Sequence, residues 1–412
     1  MPVVRQTAAE TAQATGRRRP SFHSLTVAEV RRLTEDAIEV TFAVPAELAG
    51  HFDYLPGQYV ALRTTLPDET GEPKEIRRSY SICAEPRSFE DGSSEIRVAI
   101  KKDLGGLFST WANAELKAGD TLEVMSPMGA FVSKHGRDGQ AVEQNVMNSM
   151  NRPQQMANEL AGQPGNFVAI AAGSGITPVI AIARTLLAAN PETRFDLIYA
   201  NKAAMDVMFL EELADLKDKY PSRLALHHVL SREQRIAPLL SGRIDAEKLR
   251  ALLGTALHAD DVDEWFLCGP FELVQLCRDT LAERGVKPEH IRFELFTSGK
   301  PDRPEGNAGR PVIEDTSADT YKITFKLDGL QGEVASPTHA RESILNAALR
   351  VRPDVPFACA GGVCGTCRAK VVTGSVTMDE NYALEQDELD KGYVLTCQSH
   401  PTSKEVTVDF DV

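Results

Sequence analysis

Hydrophobic residues follow two different patterns along the chain, and the change comes near residue 165. From residue 21 to about 133, short runs such as "IEVTFAV", "QYVALRT" and "EIRVAIKK" alternate apolar and polar positions, and Gly, Pro and Asp turns separate them. A period of two is typical of strands that have one face in a core and the other in solvent. The pattern predicts an antiparallel β-barrel over residues 21–133.

Beyond residue 165, continuous apolar runs such as "FVAIAA", "FDLIYA" and "EWFLCG" alternate with helical patterns such as "FELVQLCRDTLAERG". Strands that are apolar on both faces, with helices between them, indicate a parallel α/β sheet, here over residues 165–297. The apolar stretch 167–189 is long enough to cross a bilayer. Because two glycines, Pro178 and Arg184 interrupt it, we interpret it as a strand, a turn and a helix.

Four further segments complete the predicted domain organisation. Residues 1–20 lack an apolar core and are interpreted as a disordered leader. Residues 134–164 are polar and rich in amides, which predicts an inserted flexible loop, and the Pro- and Gly-rich residues 298–318 predict a linker. Residues 319–412 begin with strands at "YKITFKL" and "GEVASP" and a helix at "ARESILNAALRV". This order of elements predicts a third, small α+β domain.

Charge and cysteine content limit the partners and the location. The chain has 45 basic and 59 acidic residues, a formal charge of −14, which argues against nucleic acid or an anionic membrane as the main partner. Its seven cysteines are an odd number and four of them follow residue 358, so a disulfide framework is not expected. This distribution favours a reducing cytoplasm and a local metal site.

The late cysteines have the spacing C-x4-C-x2-C with one more cysteine far downstream. Plant-type [2Fe–2S] ferredoxins have this arrangement, and the glycines of "CAGGVCGTC" permit the positive φ angles that wrapping a cluster requires. A structural zinc site usually pairs two short knuckles, and a thioredoxin-like dithiol would leave the first cysteine unexplained. Residues 319–412 therefore resemble a plant-type ferredoxin, which implies a β-grasp fold. The predicted cluster ligands are Cys359, Cys364, Cys367 and Cys397.

The barrel segment carries motifs that resemble the ferredoxin–NADP reductase family. The stretch "RRSYSICAEP" contains the Arg-x-Tyr-Ser pattern of that family, and "PGQY" precedes it. The resemblance implies bound FAD, with Arg78 on the pyrophosphate, Tyr80 packed on the isoalloxazine and Ser81 near N5. A guanidinium suits phosphate oxygens and an aromatic face suits a flavin ring. The segment "KKDLGGLFSTW" resembles the second phosphate contact, at a helix start. Its candidate residues are Gly105, Gly106 and Ser109.

The α/β segment carries the family's two nucleotide motifs. In "AAGSGITPV", glycines follow an apolar strand and open a helix, so the backbone can approach a pyrophosphate. The resemblance also places "CGP" beside the nicotinamide, although a small buried core cysteine is the simple alternative. We assign Cys83 and Cys277 to the core. The candidate nucleotide residues are Gly173, Gly175, Thr177, Pro178, Cys268, Gly269 and Pro270.

The choice between NADPH and NADH depends on residues after the second and third strands of the sheet. An acid there favours NAD, but "FDLIYANK" has none. Ser231 and Arg232 in "VLSREQ" resemble the pair that grips the 2′-phosphate of NADP in plant reductases. The adenine-stacking tyrosine of those enzymes has no obvious counterpart, and Arg232 could also be a solvated charge. We expect NADPH.

The segment "HIRFELFTSG" closes the α/β domain. Similar reductases bring a glutamate and an aromatic residue from this segment to the flavin edge, which makes Glu294 and Phe296 candidates. A plain edge strand is the alternative. The resemblance then implies a reacting set of Ser81, Cys268 and Glu294.

The order of the domains, reductase and then ferredoxin, resembles the electron-transfer components of bacterial multicomponent oxygenases. The implied function is hydride transfer from NADPH to FAD, single-electron transfer to the [2Fe–2S] cluster and delivery to a di-iron oxygenase. The reductase of a steroid hydroxylase, a fatty-acyl desaturase or a ring-hydroxylating dioxygenase is an alternative with the same chemistry. A redox-sensing iron–sulfur protein without turnover is an alternative of another class.

Overall fold

The computed structural model describes the chain in fifteen ranges. The described residues are 3–6, 21–67, 71–103, 106–129, 131–135, 164–255, 262–296, 319–327, 329–352, 355–357, 362, 365–379, 381 with 383–384, and 386–411. Most of the predicted insert 134–164 and all of the predicted linker 298–318 lie outside them. The chain divides into two compact units, one of Phe22–Ile76 with Tyr80–Gly299, and one of Met1–Ser21, Arg77–Ser79 and Lys300–Val412.

One short strand lies in the segment that the sequence predicts to be a disordered leader. This strand, β1 (Val3–Gln6), pairs in parallel with the segment Ser375–Met378 of the same unit. The prediction considered only the lack of an apolar core, whereas two consecutive valines favour extended backbone and a sheet edge supplies hydrogen-bond partners. The disordered-leader prediction is therefore corrected for these four residues.

The first domain of the larger unit is an antiparallel barrel, as predicted. Its sheet has the order β5-β4-β8-β2-β3-β7-β6, and a bridge between Ile82 and Val98 joins the segment after β5 to β7. Alternating side chains from these strands form a closed apolar core around Val40 and Phe42, and one helix covers it. The elements are β2 (Phe22–Thr34), β3 (Ala37–Val44), β4 (Tyr59–Pro67), β5 (Pro73–Ser81), β6 (Arg87–Ser88), β7 (Ser94–Lys101), α1 (Leu107–Glu115) and β8 (Thr121–Met125).

The second domain is a parallel sheet of five strands in the order β11-β10-β9-β12-β13, as the sequence predicts in class. Among the described helices, none is long and apolar enough to cross a membrane. The apolar stretch at 167–189 is a strand, a turn and a helix. The elements are β9 (Asn166–Ala172), α2 (Ile176–Ala189), β10 (Arg194–Asn201), α3 (Leu210–Lys219), β11 (Leu224–Leu230), α4 (Ala246–Thr255), β12 (Glu264–Gly269), α5 (Phe271–Glu283) and β13 (Ile291–Leu295).

Helices cover both faces of this sheet. Side chains of α2 and α3 pack on one face and those of α4 and α5 on the other, so alternate residues of β9 enter two separate cores. The chain passes from β9 toward one edge of the sheet and from β12 toward the other edge. The gap between the ends of these two neighbouring strands is therefore the topological switch point, where ligands bind in open α/β sheets.

The barrel and the parallel-sheet domain share one core within their unit. Ala37, Cys83 and Ala99 of the barrel are buried in the same cluster as the apolar face of α2. Arg31 of β2 forms ion pairs with the buried Glu39 of the barrel and with Glu212 of α3. These contacts fix the orientation of one domain against the other.

The other unit contains a mixed sheet in the order β15-β14-β20-β16-β18 and a three-stranded sheet in the order β1-β17-β19. One helix packs on the mixed sheet through Ile344, Leu345 and Ala348, which gives the predicted α+β domain. The elements are β14 (Thr320–Leu327), β15 (Leu330–Pro337), α6 (Ile344–Leu349), β16 (Arg368–Thr373), β17 (Ser375–Met378), α7 (Gln386–Asp390), β18 (Tyr393–Leu395), β19 (Ser399–Pro401) and β20 (Glu405–Asp409).

Candidate functional site

Three residues from distant parts of the sequence meet within the larger unit. The hydroxyl of Ser81, at the end of β5, donates to a carboxylate oxygen of Glu294 in β13 at 3.3 Å. Glu294 is also the register partner of Cys268 in β12. The sequence left open whether Glu294 belongs to a site or to a plain edge strand. It lies on an edge strand, and its carboxylate reaches the barrel.

Cys268 is fully buried at the end of β12. Burial raises the pKa of its thiol well above the usual value, and the nearby Glu294 carboxylate adds to the effect. The sulfur is therefore a neutral thiol and not a nucleophilic thiolate. This is compatible with both predicted roles, a contact with the nicotinamide and a core residue.

The predicted flavin residues on β5 have chemically distinct surroundings. Tyr80 is half-buried, and its ring lies 5.7 Å from the ring of Phe108 in α1. Arg78 is exposed, with one guanidinium nitrogen donating to the carbonyl of Arg77 at 2.8 Å. A half-buried aromatic face and a buried serine suit an isoalloxazine ring, and an exposed guanidinium suits a pyrophosphate.

The helix α1 begins next to this strand, with Gly106 at its N-cap. The buried Ser109 accepts from the backbone N–H of Asp103 at 3.0 Å and contacts the carbonyl of Gly106 at 3.4 Å. Its hydroxyl therefore holds the turn in place from inside. Gly105 lies outside the described residues. The exposed N–H groups of such a helix start suit a phosphate.

The glycine turn between β9 and α2 is held by two hydroxyl groups. Tyr199 of β10 donates to the carbonyl of Gly173 at 2.9 Å, and Thr177 donates to the carbonyl of Ser174 at 2.9 Å. Gly175 lies against β12, since a Cβ added to it would stand 2.3 Å from the carbonyl oxygen of Cys268. Only glycine fits at this approach. The turn therefore sits at the switch point, where backbone N–H groups can face a pyrophosphate.

The remaining nucleotide candidates surround the same edge of the sheet. Pro270 is the N-cap of α5, and the carbonyl of Gly269 accepts from the N–H of Phe296 at 2.9 Å. Pro178 is buried in the first turn of α2, a position where proline costs no hydrogen bond. Phe296 packs against the core shared with the barrel.

Ser231 and Arg232 are exposed directly after β11. Their backbone N–H groups donate to the last residue of β10 and to the residue after it, with 2.9 Å from Ser231 to the carbonyl of Asn201 and 2.8 Å from Arg232 to that of Lys202. The two turns are therefore neighbours at the carboxyl edge of the sheet, where the ribose of a bound nucleotide lies in such folds.

Two of the four predicted cluster ligands are described, and both are buried. Thr396 donates to the carbonyl of Cys367 through its N–H at 3.1 Å and its hydroxyl at 2.9 Å, which holds the segments of Cys367 and Cys397 side by side. Gly362 and Gly365 have positive φ, as expected for a wrapped loop. Cys359 and Cys364 lie outside the described residues. Two buried cysteines on hydrogen-bonded segments, one of them in the glycine-rich loop, suit thiolate ligation of iron.

Two supporting residues were missed by reasoning from the sequence alone. Gln58 is buried, accepts from the N–H of Leu55 at 2.8 Å, and its backbone carbonyl accepts from Ile82 at 2.8 Å, so it fixes the strand end that carries Ser81. The motif "PGQY", which contains Gln58, was the sequence signal that could have identified it. No sequence signal identifies Tyr199, because its contact with the glycine turn depends on tertiary structure.

Comparison with known families agrees with this three-part arrangement. Three family models match the chain: the oxidoreductase FAD-binding domain at residues 24–132, the oxidoreductase NAD-binding domain at residues 169–279 and the 2Fe-2S iron-sulfur cluster binding domain at residues 327–402. The fold and these matches define an oxidoreductase with FAD-binding, NAD-binding and [2Fe–2S]-binding domains.

Similar proteins are known over nearly the whole length. The chain is 42% identical to a subunit of the 1,2-phenylacetyl-CoA epoxidase of Escherichia coli (strain K12), covering 95% of this chain and 98% of that protein. It is 30% identical to the ferredoxin reductase component of 3-ketosteroid-9-alpha-monooxygenase of Rhodococcus rhodochrous, covering 94% and 96%. The chain belongs to the family of [2Fe–2S]-containing flavoprotein reductases that includes these two proteins.

Among solved structures, the FAD/NAD-binding domain of a nitric oxide dioxygenase from Vibrio cholerae O1 biovar El Tor superposes with a TM-score of 0.52 at 23% identity. It covers 69% of this chain and 99% of that one. At this identity the likeness supports the fold of the barrel and the parallel sheet.

Proposed function

We propose that this protein is the reductase component of a phenylacetyl-CoA epoxidase, supplying electrons from NADPH to a di-iron oxygenase in phenylacetate degradation. The observation that carries the proposal is the 42% identity with the 1,2-phenylacetyl-CoA epoxidase protein of Escherichia coli, over 95% of this chain and 98% of that protein. The relatives at 30–32% identity are steroid monooxygenase reductases, so the epoxidase relationship is the nearer of the two.

Each domain has residues that could hold its cofactor. Tyr80 and Ser81 would face the flavin ring and Arg78 its pyrophosphate, while the turn at Gly173 and Gly175 would receive the nucleotide. Bound FAD and a [2Fe–2S] cluster supply the conversion of a two-electron donor into one-electron transfers.

The residues around the reacting atoms would orient the substrate and exclude water. The neutral thiol of Cys268 is fully buried and would have to be uncovered to contact the nicotinamide, and Ser81 with Glu294 forms a hydrogen-bonded pair at the barrel edge. Glu294 can accept or return a proton through the Ser81 hydroxyl, because the two groups are 3.3 Å apart.

NADPH is the proposed electron donor because the end of the second strand, "FDLIYANK", offers no acid for a ribose 2′-hydroxyl, and Arg232 follows the third strand. Arg232 has no ion pair with a described residue, so its guanidinium is available for a phosphate. The cytoplasmic location expected from the cysteine distribution stays a prediction.

Replacing Arg232 tests the choice of nucleotide. Arg232→Ala is expected to raise the KM for NADPH about tenfold or more, the worth of one charge-assisted contact, and to leave the KM for NADH nearly unchanged. Steady-state ferricyanide reduction with each nucleotide measures both values. An equal rise for NADPH and NADH would contradict the assignment.

Reconstitution tests the proposed pathway. The purified protein is combined with a phenylacetyl-CoA oxygenase component, and separately with a 3-ketosteroid oxygenase, each with NADPH, O₂ and its substrate. Coupled product formation with the first at a rate well above that with the second is expected. Equal or better coupling with the steroid system would favour the alternative reductase function.

A further inference from the structure

The carboxyl edge of the parallel sheet carries a basic residue that the predicted nucleotide site does not use. Lys202 follows β10 directly and its side chain is exposed. It forms no ion pair with any of the residues that the structure describes. A lysine at this position stands where an acid would bind the ribose 2′-hydroxyl of NAD.

Backbone hydrogen bonds hold Lys202 beside the predicted phosphate residues. The register of β10 and β11 ends with the pair Asn201 and Leu230, so Lys202 and Ser231 are the first residues after the two paired strands. Two backbone hydrogen bonds still join the chains beyond that pair, because the carbonyls of Asn201 and Lys202 accept from the N–H groups of Ser231 and Arg232. Paired chains lie about 4.8 Å apart, so the lysine stem starts next to both residues.

The carboxylates that lie close in sequence to Lys202 and to Arg232 each accept a hydrogen bond from a backbone N–H group. Glu233 accepts from the N–H of Ala204 at 2.7 Å, and Asp206 accepts from that of Ala203 at 2.9 Å. The Glu233 contact is a third tie between the turns after β10 and β11. It fixes the loop that carries Arg232 relative to Lys202 and leaves the ammonium group free of these carboxylates.

We propose that Lys202 is a second specificity-determining residue, which binds the 2′-phosphate of the nucleotide together with Arg232. The inference rests on the proposed use of NADPH. An ammonium and a guanidinium on adjacent paired chains can contact different oxygens of one phosphate, and the phosphate carries close to two negative charges. Two cations also explain how this chain could select NADPH without the stacking tyrosine.

Calorimetric titration of the full-length protein with adenosine 2′,5′-bisphosphate and with AMP tests this without any turnover. The two probes differ only in the 2′-phosphate. We expect Lys202→Met to weaken binding of the bisphosphate about three- to fivefold, the range for one exposed charged contact, and to leave AMP binding unchanged. Lys219→Met, at an equally exposed lysine in the last turn of α3, should change neither affinity.

The outcomes separate this inference from the nucleotide preference on which it rests. Unchanged bisphosphate affinity in Lys202→Met, or equal weakening of both probes, overturns the role of Lys202, whereas Arg232→Ala still reports on NADPH preference. If the unmodified protein binds both probes equally well, the preference for NADPH is itself wrong, and the inference is overturned with it. Retained AMP binding in the variant shows that the site is folded.

Discussion

Asp53, in the loop before β4, is a half-buried carboxyl group whose pKa burial raises to about 6. The folded protein therefore keeps the Asp53 proton to a higher pH than the unfolded chain does. Between about pH 4 and pH 6 the unfolded state loses this proton first, so the Asp53 contribution to the unfolding free energy falls as pH rises.

Asp53→Asn removes this dependence. The variant is expected to match the unmodified protein in unfolding free energy below about pH 4 and to exceed it by at most about 1 kcal/mol above pH 6, since the carboxyl group is partly screened by solvent. Urea unfolding at a series of pH values measures the difference. A constant difference across the whole range would contradict the raised pKa.

At the scale of residues, the sequence predicts which residues belong to the candidate site better than it predicts the contacts between them. Arg78, Tyr80 and Ser81 could be named from a four-residue motif, but the 3.3 Å contact between Ser81 and Glu294 could not. That contact depends on the register between β12 and β13 and on how the barrel packs on the sheet. Neither is encoded in a local pattern.

At the scale of elements, the turn between β9 and α2 depends on the absence of a side chain at Gly175. Gly175→Ala would place a methyl group 2.3 Å from the Cys268 carbonyl. The displaced turn is expected to weaken binding of adenosine 2′,5′-bisphosphate about tenfold or more, as overpacking of about 1–3 kcal/mol implies.

Gly254→Ala is the matched control. Gly254 lies in α4, and nothing stands within 4 Å of a Cβ added there. This substitution should leave nucleotide binding unchanged and stabilise the helix by up to about 1 kcal/mol. Equal affinity in both alanine variants would show that the turn is not part of the nucleotide site.

The start of β12 depends on the buried carboxylate of Glu264. It accepts from the Ser133 hydroxyl, from the N–H of Lys134 at 2.8 Å and from Arg292 at 2.9 Å. Glu264→Ala leaves the Arg292 guanidinium, whose side chain is 12% exposed, without its carboxylate partner and is expected to lower the unfolding free energy by about 3 kcal/mol. Urea unfolding followed by fluorescence of the buried Trp265 measures it.

Glu283, by contrast, forms an exposed ion pair with Arg250 at 2.8 Å. Glu283→Ala should lower the unfolding free energy by no more than about 0.5 kcal/mol. Similar losses of unfolding free energy in Glu264→Ala and Glu283→Ala would contradict the claim that burial makes the Glu264 contacts more stabilising.

Element classes were predictable from periodicity, whereas some element ends were not. The helix predicted at "ARESILNAALRV" begins only at Ile344, because Arg341 has φ of 41° and the hydroxyl of Ser343 caps the N–H of Asn346. The capping serine was visible in the sequence. The left-handed residue before it was not, since an arginine gives no local signal for that conformation.

At the scale of the whole molecule, the chain combines FAD-binding, NAD-binding and [2Fe–2S]-binding domains in one polypeptide. The motifs of each domain were sufficient to predict this composition, because cofactor chemistry restricts residue type and spacing more strongly than a core does. The acceptor could not be predicted in the same way. The acceptor that we propose rests on resemblance over nearly the full length.

The central claim is that electrons enter at the flavin and leave for the oxygenase through the cluster. Cys397→Ser tests it most directly, because serine is a poor ligand for iron in place of a thiolate, and the cores of the two other domains contain no residue of the core that surrounds Cys397. We predict that the variant loses the iron–sulfur absorption and the NADPH-dependent turnover of the oxygenase but reduces ferricyanide at a rate near that of the unmodified protein. Full oxygenase turnover by a variant shown to lack iron would contradict the account.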